Sequence, residues 1–307
     1  MKRRTACAAL AAGSCALLFA CLLRLTIRDQ FRVPAAIFYG TPWPLLALGA
    51  LLLAVAWWRF GKRSFAVAMA VIAGAAGLAW GKTSWRWQAA SPQRGDLRVV
   101  FWNVSRPDRN FPAVAAWLRA RNADLLMIAE AQPRKFSTLA RWREAFPDYR
   151  VEPSQSGMLC LVRGEVASLE GVRAPGYYRA SAQATVRGGA VRLVQVDFNA
   201  NPLATRKIPL GHLAAFLDPL ANAPVILAGD FNTPRDSVHF APLRARFVDT
   251  FEAAGAGLGD TWPLPVPILS LDQIWVSRTL RVVRCEVFSS WLSDHRAVLA
   301  DLAFARE

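Results

Sequence analysis

Three long stretches without a charged residue lie in the N-terminal third of the chain, and they restrict its fold more than any other feature. They cover residues 5–23, 33–58 and 64–81. A helix needs about 20 apolar residues, with a range of about 17 to 25, to cross the hydrocarbon layer of a membrane. All three stretches meet that requirement, so the sequence predicts about three transmembrane helices. Pro42 and Pro44 mark the expected start of the second helix, because proline is favoured in the first turn.

Charge is divided between the two parts of the chain as unevenly as hydrophobicity. Residues 1–90 contain 11 Lys and Arg and one acidic residue, whereas residues 91–307 contain 26 basic and 21 acidic residues. The formal net charge of +15 is therefore poor evidence for nucleic-acid binding, although the milder charge of the second part suits an anionic substrate. Pro92 and Gly95 indicate a linker between the parts. The predicted parts are a membrane region at residues 1–83, a linker at 84–96 and a soluble domain at 97–307.

Basic residues beside the apolar stretches favour one orientation by a narrow margin. Three spans place the N-terminus and the soluble domain on opposite sides of the membrane, with Lys2, Arg3 and Arg4 inside. Six basic residues then lie on the cytoplasmic side and five on the other side. This small excess agrees with the positive-inside rule. Cleavage of the first stretch as a signal peptide would leave two spans and the same placement. We therefore expect a multi-pass protein of a cell membrane, such as the bacterial inner membrane, with the soluble domain outside the cytoplasm.

Beyond residue 96, short apolar runs alternate with segments of helical periodicity. Strands are predicted near residues 97–102, 124–129, 158–163, 181–186, 191–196, 225–229, 271–277, 282–288 and 297–303. Helices are predicted near residues 111–121, 135–145 and 205–220. Strands outnumber helices, which is typical of two packed sheets flanked by helices. Cys160 and Cys285 lie inside strand-like runs, and we expect buried free thiols there rather than a disulfide.

Two short polar motifs adjoin strands of this predicted domain. Gly-Asp-Phe-Asn at residues 229–232 follows the apolar run at 224–228, and Ser-Asp-His at residues 293–295 precedes the run at 297–300. Metal-assisted attack on a phosphate needs anions to hold a hard cation, a base for water and donors for the developing charge. Carboxylates, an amide and an imidazole at strand ends supply all three. Hydrolysis of a phosphate ester is therefore the first hypothesis.

Three further polar residues lie at the ends of predicted strands: Asn103, Glu130 and Asp272. Together with the two motifs they make five elements in a fixed order along the chain. In that order and spacing, residues 95–305 resemble the endonuclease/exonuclease/phosphatase superfamily, the group of deoxyribonuclease I, exonuclease III and the neutral sphingomyelinases. The resemblance implies a four-layer α/β sandwich, in which two packed mixed sheets are flanked by helices.

The resemblance also implies a metal site. Glu130 would be the principal Mg²⁺ ligand, with Asn103 and Asp294 beside it and Mn²⁺ as an alternative cation. The chemistry of these side chains agrees, because Mg²⁺ prefers carboxylate and amide oxygens and keeps several of its waters.

The remaining matches imply catalytic roles. Asp230 would orient or deprotonate the attacking water, and Asn232 would hold a phosphate oxygen. His295 would stabilise the transition state, with Asp272 keeping its imidazole fixed and positive. Taken alone, Asp230 and Asn232 could equally be turn residues after a strand, and it is the joint order of the motifs that favours catalysis.

Asp197 departs from the pattern of the superfamily. Members usually have a strand that ends in His, less often Tyr, before the Gly-Asp-Phe-Asn motif, whereas the strand at 191–196 is followed here by Asp197. An ionised carboxylate has no proton to donate to a phosphate oxygen, and it repels the phosphate. Asp197 could bind a second cation while Asn199 or Asn201 supplies the missing donor. We expect either an altered mechanism or a reduced activity.

Two classes of function follow. The first is a membrane-anchored, metal-dependent hydrolase, a phosphodiesterase or phosphatase, acting on nucleic acid, a phospholipid head group or another phosphate ester. The second is a binding or scaffold protein of the same fold with weakened or lost turnover, suggested by Asp197. The complete hydrolytic set favours the enzyme, because a binding protein would not need it. The lipid bilayer is the expected partner of the N-terminal helices, and the sequence indicates no protein partner.

Four arginines lie near the motif loops: Arg106, Arg109, Arg206 and Arg235. An arginine in such a place can bind a phosphate bidentately. The chain is rich in arginine, however, so chance placement explains their positions equally well.

Overall fold

The computed structural model describes residues 2–91, 93–132 and 136–304. The chain divides into two compact units, Met1–Trp85 with Asp236–Val238 and Arg86–Arg235 with His239–Glu307. Four parts of the predictions lie outside the described residues: residue 1 of the membrane region, Pro92 in the linker, residues 133–135 at a helix start in the soluble domain, and residues 305–307 at the end of that domain.

Four helices occupy the described part of the first unit. They are α1 at Lys2–Leu25, α2 at Arg32–Gly40, α3 at Trp43–Arg59 and α4 at Arg63–Ser84. By length and composition, α1 and α4 could each cross a membrane. The helices α2 and α3 add a third span only if they count as one broken segment, because they are bent by 67° relative to each other.

The predicted second span is therefore not one continuous helix. Thr41 has φ −126° and ψ 60°, and Pro42 has φ −61° and ψ 156°, so neither residue is helical. Proline has no N–H to donate and crowds the residue before it, which stops the helix ahead of Pro42. A new helix, α3, then begins at Trp43, as the proline positions predicted.

Short strands make up most of the second unit. The strands are β1 (Trp85–Arg86), β2 (Leu97–Asn103), β3 (Leu125–Ala129), β4 (Arg150–Pro153), β5 (Leu159–Val162), β6 (Gly164–Val166), β7 (Glu170–Ala174), β8 (Tyr177–Val186), β9 (Gly189–Phe198), β10 (Val225–Asp230), β11 (Phe247–Asp249), β12 (Gly255–Leu258), β13 (Asp272–Ser277), β14 (Leu280–Phe288) and β15 (Ala297–Phe304). Its helices are α5 (Phe111–Arg119), α6 (Phe136–Ala145), α7 (Lys207–Leu217), α8 (Ala241–Arg244) and α9 (Thr250–Ala254).

The strands form two mixed sheets. The first sheet has eight strands in the order β1-β12-β14-β15-β2-β3-β5-β4. The second has seven, in the order β11-β13-β10-β9-β8-β6 with β7 paired to β8. In the first sheet β2 is parallel to β3 and β12 is parallel to β14, and in the second sheet β9 is parallel to β10. The pairs β2 with β3 and β9 with β10 are both flanked by antiparallel neighbours. The C-terminal ends of the parallel strands therefore meet at one edge of each sheet.

Alternating side chains on the strands build a four-layer sandwich. The inner faces of the two sheets share one core, which includes Phe101 from the first sheet and Ile226 from the second. On the outer faces, α5 and α6 cover the first sheet, and α7 covers the second. The predicted four-layer α/β sandwich is confirmed. Cys160 and Cys285 are buried free thiols in the inner core, as predicted.

Candidate active site

Three acidic residues lie side by side at one edge of the second sheet. Asp230, the last residue of β10, is in register with Asp197 on the parallel strand β9 and with Asp272 on the antiparallel strand β13. Gly229 permits the close approach of these strands, since a Cβ atom there would lie 2.3 Å from the carbonyl oxygen of Val196. Strand pairing alone thus gathers three of the predicted site residues.

Asn103 joins this edge to the first sheet. Its side chain is buried at the end of β2, and Nδ2 donates to Asp230 Oδ2 at 3.2 Å and to Glu130 Oε1 at 3.3 Å. Its Oδ1 accepts the backbone N–H of Ser105 at 3.0 Å. The Ser293 hydroxyl donates to the Asn103 carbonyl at 2.7 Å. Asn103 thus connects its own loop with three other stretches of the chain, at Glu130, Asp230 and Ser293.

His295 and Asp272 form a buried pair. The imidazole Nδ1 and the carboxylate Oδ2 are 2.8 Å apart. Burial opposes the charge on the imidazole, but Asp272, with Asp230 and Asp294 nearby, raises the pKa of His295 to about 10. Thr261 Oγ1 accepts the backbone N–H of Asp272 at 3.0 Å and so fixes the start of β13. The imidazole is positively charged at neutral pH, with a proton on each ring nitrogen.

Glu130 lies at a more exposed side of the cluster, directly after β3. Its Oε2 is 3.1 Å from Nε of Arg106, whose side chain is 68% exposed. Glu130, Ser105 and Arg106 have φ angles of 53°, 49° and 58°, in the left-handed region. Such a backbone costs of order 1–3 kcal/mol per residue and persists where the surroundings hold it, often at functional sites.

Asp294 is held by neighbours that sequence reasoning missed. Trp262 Nε1 donates to Asp294 Oδ2 at 3.2 Å, and the backbone N–H of Leu264 donates to the Asp294 carbonyl at 2.9 Å. Burial acts to raise the pKa of Asp294, but His295 and hydrogen bonds from Ser105 and Trp262 hold it below its usual range. Trp262 carries no periodic or charge signal in the sequence, so only the fold reveals its contact.

The crowding of carboxylates shifts their protonation. Burial, together with Asp230 and Glu130, raises the pKa of Asp197 to about 7. Burial and the neighbouring Asp272 likewise raise the pKa of Asp230. A protonated carboxyl at Asp197 can donate a hydrogen bond, which an ionised one cannot. A bound divalent cation would lower both pKa values, because its charge favours the ionised form.

Two sets of side chains compete as metal ligands. Asp230, Asp272 and His295 offer ligand atoms within 4.8 Å of one another. A protonated imidazole has no lone pair for a cation, so this trio is poorly suited to one. The sequence predicted a different set: Asn103, Glu130 and Asp294. Its amide and carboxylate groups carry the oxygen donors that Mg²⁺ and Mn²⁺ prefer.

The four arginines near the motifs differ in their surroundings. Arg206 is 2% exposed and donates to backbone carbonyls. Arg235 is also buried, and its Nε lies 2.9 Å from Asp249 Oδ2. Arg106 and Arg109 are exposed on the loop after β2, and Arg106 is the one paired with a site carboxylate. Of the four, Arg106 is therefore placed best to meet an incoming phosphate.

The profile of the Endonuclease/Exonuclease/phosphatase family matches residues 100–295, more than half of the chain. The chain belongs to this family, as its motifs implied. The matched range runs from the end of β2 to His295 and so contains every predicted site residue. Among curated proteins, none matches the sequence significantly.

Several solved structures share the fold. The mannosyl-6-phosphatase Bt3783 of Bacteroides thetaiotaomicron is 17% identical with a TM-score of 0.58, over 68% of this chain and 100% of that one. Truncated Caenorhabditis elegans TDP2 is 20% identical with a TM-score of 0.57, over 68% of this chain and 98% of that one. An endonuclease/exonuclease/phosphatase from Beutenbergia cavernae is 20% identical with a TM-score of 0.57, over 69% and 72%. At these identities the likeness establishes the fold and leaves the substrate open.

Proposed function

We propose that this protein is a membrane-anchored hydrolase of phosphate esters that depends on Mg²⁺, with Mn²⁺ as an alternative. The observation that supports this best is the contact of Asn103 with both Glu130 and Asp230, in the same cluster as the His295–Asp272 pair. The cluster combines oxygen ligands, a buried carboxylate and a positively charged donor. Hydrolysis of a phosphate ester needs these three components.

Glu130, Asn103 and Asp294 would hold the cation. A bound Mg²⁺ would neutralise charge on the phosphate oxygens. Asn103 presently directs Nδ2 to the carboxylates, so its amide would turn over to offer Oδ1 to a cation. Of the three, Glu130 would contribute most, because its charge is balanced only in part, by an exposed arginine.

Asp230 would act on the attacking water. With a cation bound, its carboxylate would be ionised and could accept a proton from the water, as the water oxygen bonds to phosphorus and the ester bond breaks. The Asp230 carboxylate is aligned through Oδ1, which accepts the N–H of Asn232 at 2.9 Å, and this bond would remain when the Asn103 amide turns over.

Two donors would stabilise the developing charge. Asn232 Nδ2 already donates one hydrogen to the Phe198 carbonyl at 2.9 Å, and its second N–H would hold a phosphate oxygen. His295 would donate from Nε2 while Asp272 retains its charge and orientation.

Asp197 favours the alternative, a weakened enzyme or a binding protein of this fold. Where relatives have a donor, this chain has an acid in register with Asp230. Near neutral pH a fraction of Asp197 would carry a proton and could donate, because its pKa lies at about 7. The rest would repel a phosphate, so the expected result is reduced rather than absent turnover.

Turnover of simple esters tests the proposal. The full chain in detergent should hydrolyse bis(p-nitrophenyl) phosphate or p-nitrophenyl phosphate with Mg²⁺, lose that activity with EDTA, and regain it when Mg²⁺ is restored. The two esters separate diesterase from monoesterase activity. Asp230→Asn, purified in parallel, reports any contaminating hydrolase. Wild-type protein no more active than Asp230→Asn on either ester would favour the binding protein.

The membrane placement is a separate part of the proposal, supported by the length and composition of α1 and α4. A C-terminal reporter that works only outside the cytoplasm should be active. A silent reporter there, with activity from a cytoplasm-restricted reporter at the same position, would reverse the placement.

A further inference from the structure

Arg206 is a buried arginine that contacts backbone rather than solvent. It lies directly before α7 and is 2% exposed. Its Nε and Nη2 donate to the carbonyl oxygen of Asn232 at 3.2 and 3.0 Å. Further bonds reach the carbonyls of Asn201 at 3.2 Å and Ala204 at 3.4 Å. The guanidinium thus ties the loop after β9 to the turn after β10.

The turn that Arg206 contacts carries two of the proposed catalytic residues. Asn232 has φ 44°, a left-handed backbone that a non-glycine residue adopts only at a cost. The N–H on one side of this residue donates to Asp230 Oδ1, and the carbonyl on the other side accepts from Arg206. A rotation of the Asn232 backbone would therefore move its own side chain and release the Asp230 carboxylate.

Neighbouring carbonyls in the turn have other donors. The Phe231 carbonyl accepts from the Thr233 hydroxyl at 2.7 Å, and the Thr233 carbonyl accepts from Gln273 Nε2 at 3.0 Å. The contact with Arg206 supplies the corresponding hydrogen bonds at Asn232. A buried arginine turned toward these carbonyls is also badly placed to bind a substrate phosphate. This argues against the phosphate-binding role that the sequence left open for Arg206.

We propose that Arg206 is a positioning residue, whose paired hydrogen bonds to the Asn232 carbonyl hold the Asp230–Asn232 turn in the conformation that turnover requires. The proposal rests on the proposed function for its catalytic consequence, but the restraint on the turn stands on geometry alone. A misplacement of about 1 Å at such a site can lower a rate about 100-fold.

Arg206→Lys tests the positioning role, since it keeps the buried charge and loses the paired N–H donors of the guanidinium. We expect kcat to fall about 10- to 100-fold with KM little changed, because the turn is displaced rather than the substrate lost. Arg98→Lys is the matched control. Arg98 binds Asp301 Oδ1 and Oδ2 at 2.8 and 2.9 Å, near the opposite end of β2 from Asn103, and its substitution should leave kcat unchanged.

Two further measurements separate positioning from general stability. Hydrogen–deuterium exchange of the metal-free protein should quicken in a peptide covering residues 229–235 in Arg206→Lys but not in Arg98→Lys. In a double-mutant cycle, Arg206→Lys should cost less when Asp230 is already Asn, because part of its effect acts through the Asp230 carboxylate. If Arg206→Lys folds poorly, Arg206→Gln, which retains an amide donor without the charge, takes its place.

These measurements separate the positioning role of Arg206 from the proposed hydrolase activity. Unchanged kcat and unchanged exchange in Arg206→Lys would overturn the positioning role. A lower melting temperature with unchanged kcat and no local increase in exchange would also overturn it. If the wild type proves inactive on both esters, the proposed function fails, and the exchange measurement still decides whether Arg206 holds the turn.

Discussion

The two halves of the site balance their charges in different ways. We call Asp230, Asp272 and His295 the buried half, and Glu130 with Arg106 the mouth. In the buried half, His295 and Asp272 form an ion pair, Asp230 accepts hydrogen bonds from Asn103 and Asn232, and all three residues have little access to solvent. At the mouth, a carboxylate with a 29% exposed side chain is paired with an arginine that is 68% exposed.

This difference in burial leads us to expect different roles for the two halves. Breaking a buried charge pair by removing one partner costs about 3–5 kcal/mol, whereas an exposed pair contributes about 0–1 kcal/mol. The buried half is therefore organised before any cation or substrate arrives. The mouth can exchange Arg106 for a cation at little cost. We expect catalytic chemistry to fail when the buried half is altered, and metal binding to change when the mouth is altered.

The largest expected effect is in the buried half, at Asp230. Asp230→Asn keeps the shape of the side chain and removes the proposed base, so kcat should fall about 10²- to 10⁴-fold. Steady-state kinetics on bis(p-nitrophenyl) phosphate at saturating Mg²⁺ measure this. Asp218→Asn, which alters an exposed acid on the far side of α7, should leave kcat unchanged. A loss smaller than about fivefold in Asp230→Asn would remove Asp230 from the proposed chemistry.

The second prediction concerns the pH dependence that the buried pair imposes. In the proposed mechanism the charged imidazole of His295 is the active form, so the alkaline limb of the wild-type kcat profile should fall as pH rises through about 10. Asp272→Asn removes the main charge that raises this pKa, so the alkaline fall should move to lower pH. Profiles of kcat against pH for the two proteins test the shift. Identical alkaline limbs would show that Asp272 does not tune His295.

The third prediction moves to the mouth. Glu130→Gln should weaken Mg²⁺ binding about tenfold, which corresponds to ~1.4 kcal/mol, because a full charge is lost from the ligand set. Isothermal titration of the full chain with Mg²⁺ measures the affinity. Glu170→Gln, on the exposed strand β7, is the control and should bind as the wild type does.

A second substitution at the mouth should raise the Mg²⁺ affinity instead of lowering it. Arg106→Gln removes the cation that competes for Glu130, so Mg²⁺ should bind more tightly than in the wild type. Equal affinity in the wild type, Glu130→Gln and Arg106→Gln would place the metal elsewhere in the cluster.

Sequence patterns predicted the long buried strands better than the short ones. All nine predicted strands of the second unit are present, because buried strands are read from continuous apolar runs. Asp230 and Asp272 lie together because their strands pair in register. The motif order predicted that both belong to one site, but not this pairing. Strands of two to five residues were missed: β1, β4, β6, β7, β11 and β12. In β7 only Ala174 is buried, so it has no apolar run to detect.

Contacts made by single side chains escaped prediction for a different reason. Arg206 and Trp262 belong to loops, where neither periodicity nor neighbouring residues indicate what a side chain will meet. The sequence left Arg206 open between phosphate binding and chance placement, and the structure places it on the Asn232 carbonyl. The helix break at Pro42 escaped prediction for a similar reason. The length of an uncharged stretch shows that it could span a membrane, but it does not show that the stretch forms one continuous helix.

The smallest effect is expected where the two halves meet, at Asp197. The residue is paired in register with Asp230, and its pKa responds to Asp230 and to Glu130. Asp197→His would replace an acid by the donor that relatives present, so phosphodiesterase activity at low Mg²⁺ should rise severalfold. Removing one such donor typically costs about 10²- to 10³-fold, and restoring one should recover part of that. Abolished turnover in both Asp197→His and Asp197→Asn would instead make Asp197 a working ligand or base, and the buried half would then extend to a fourth residue.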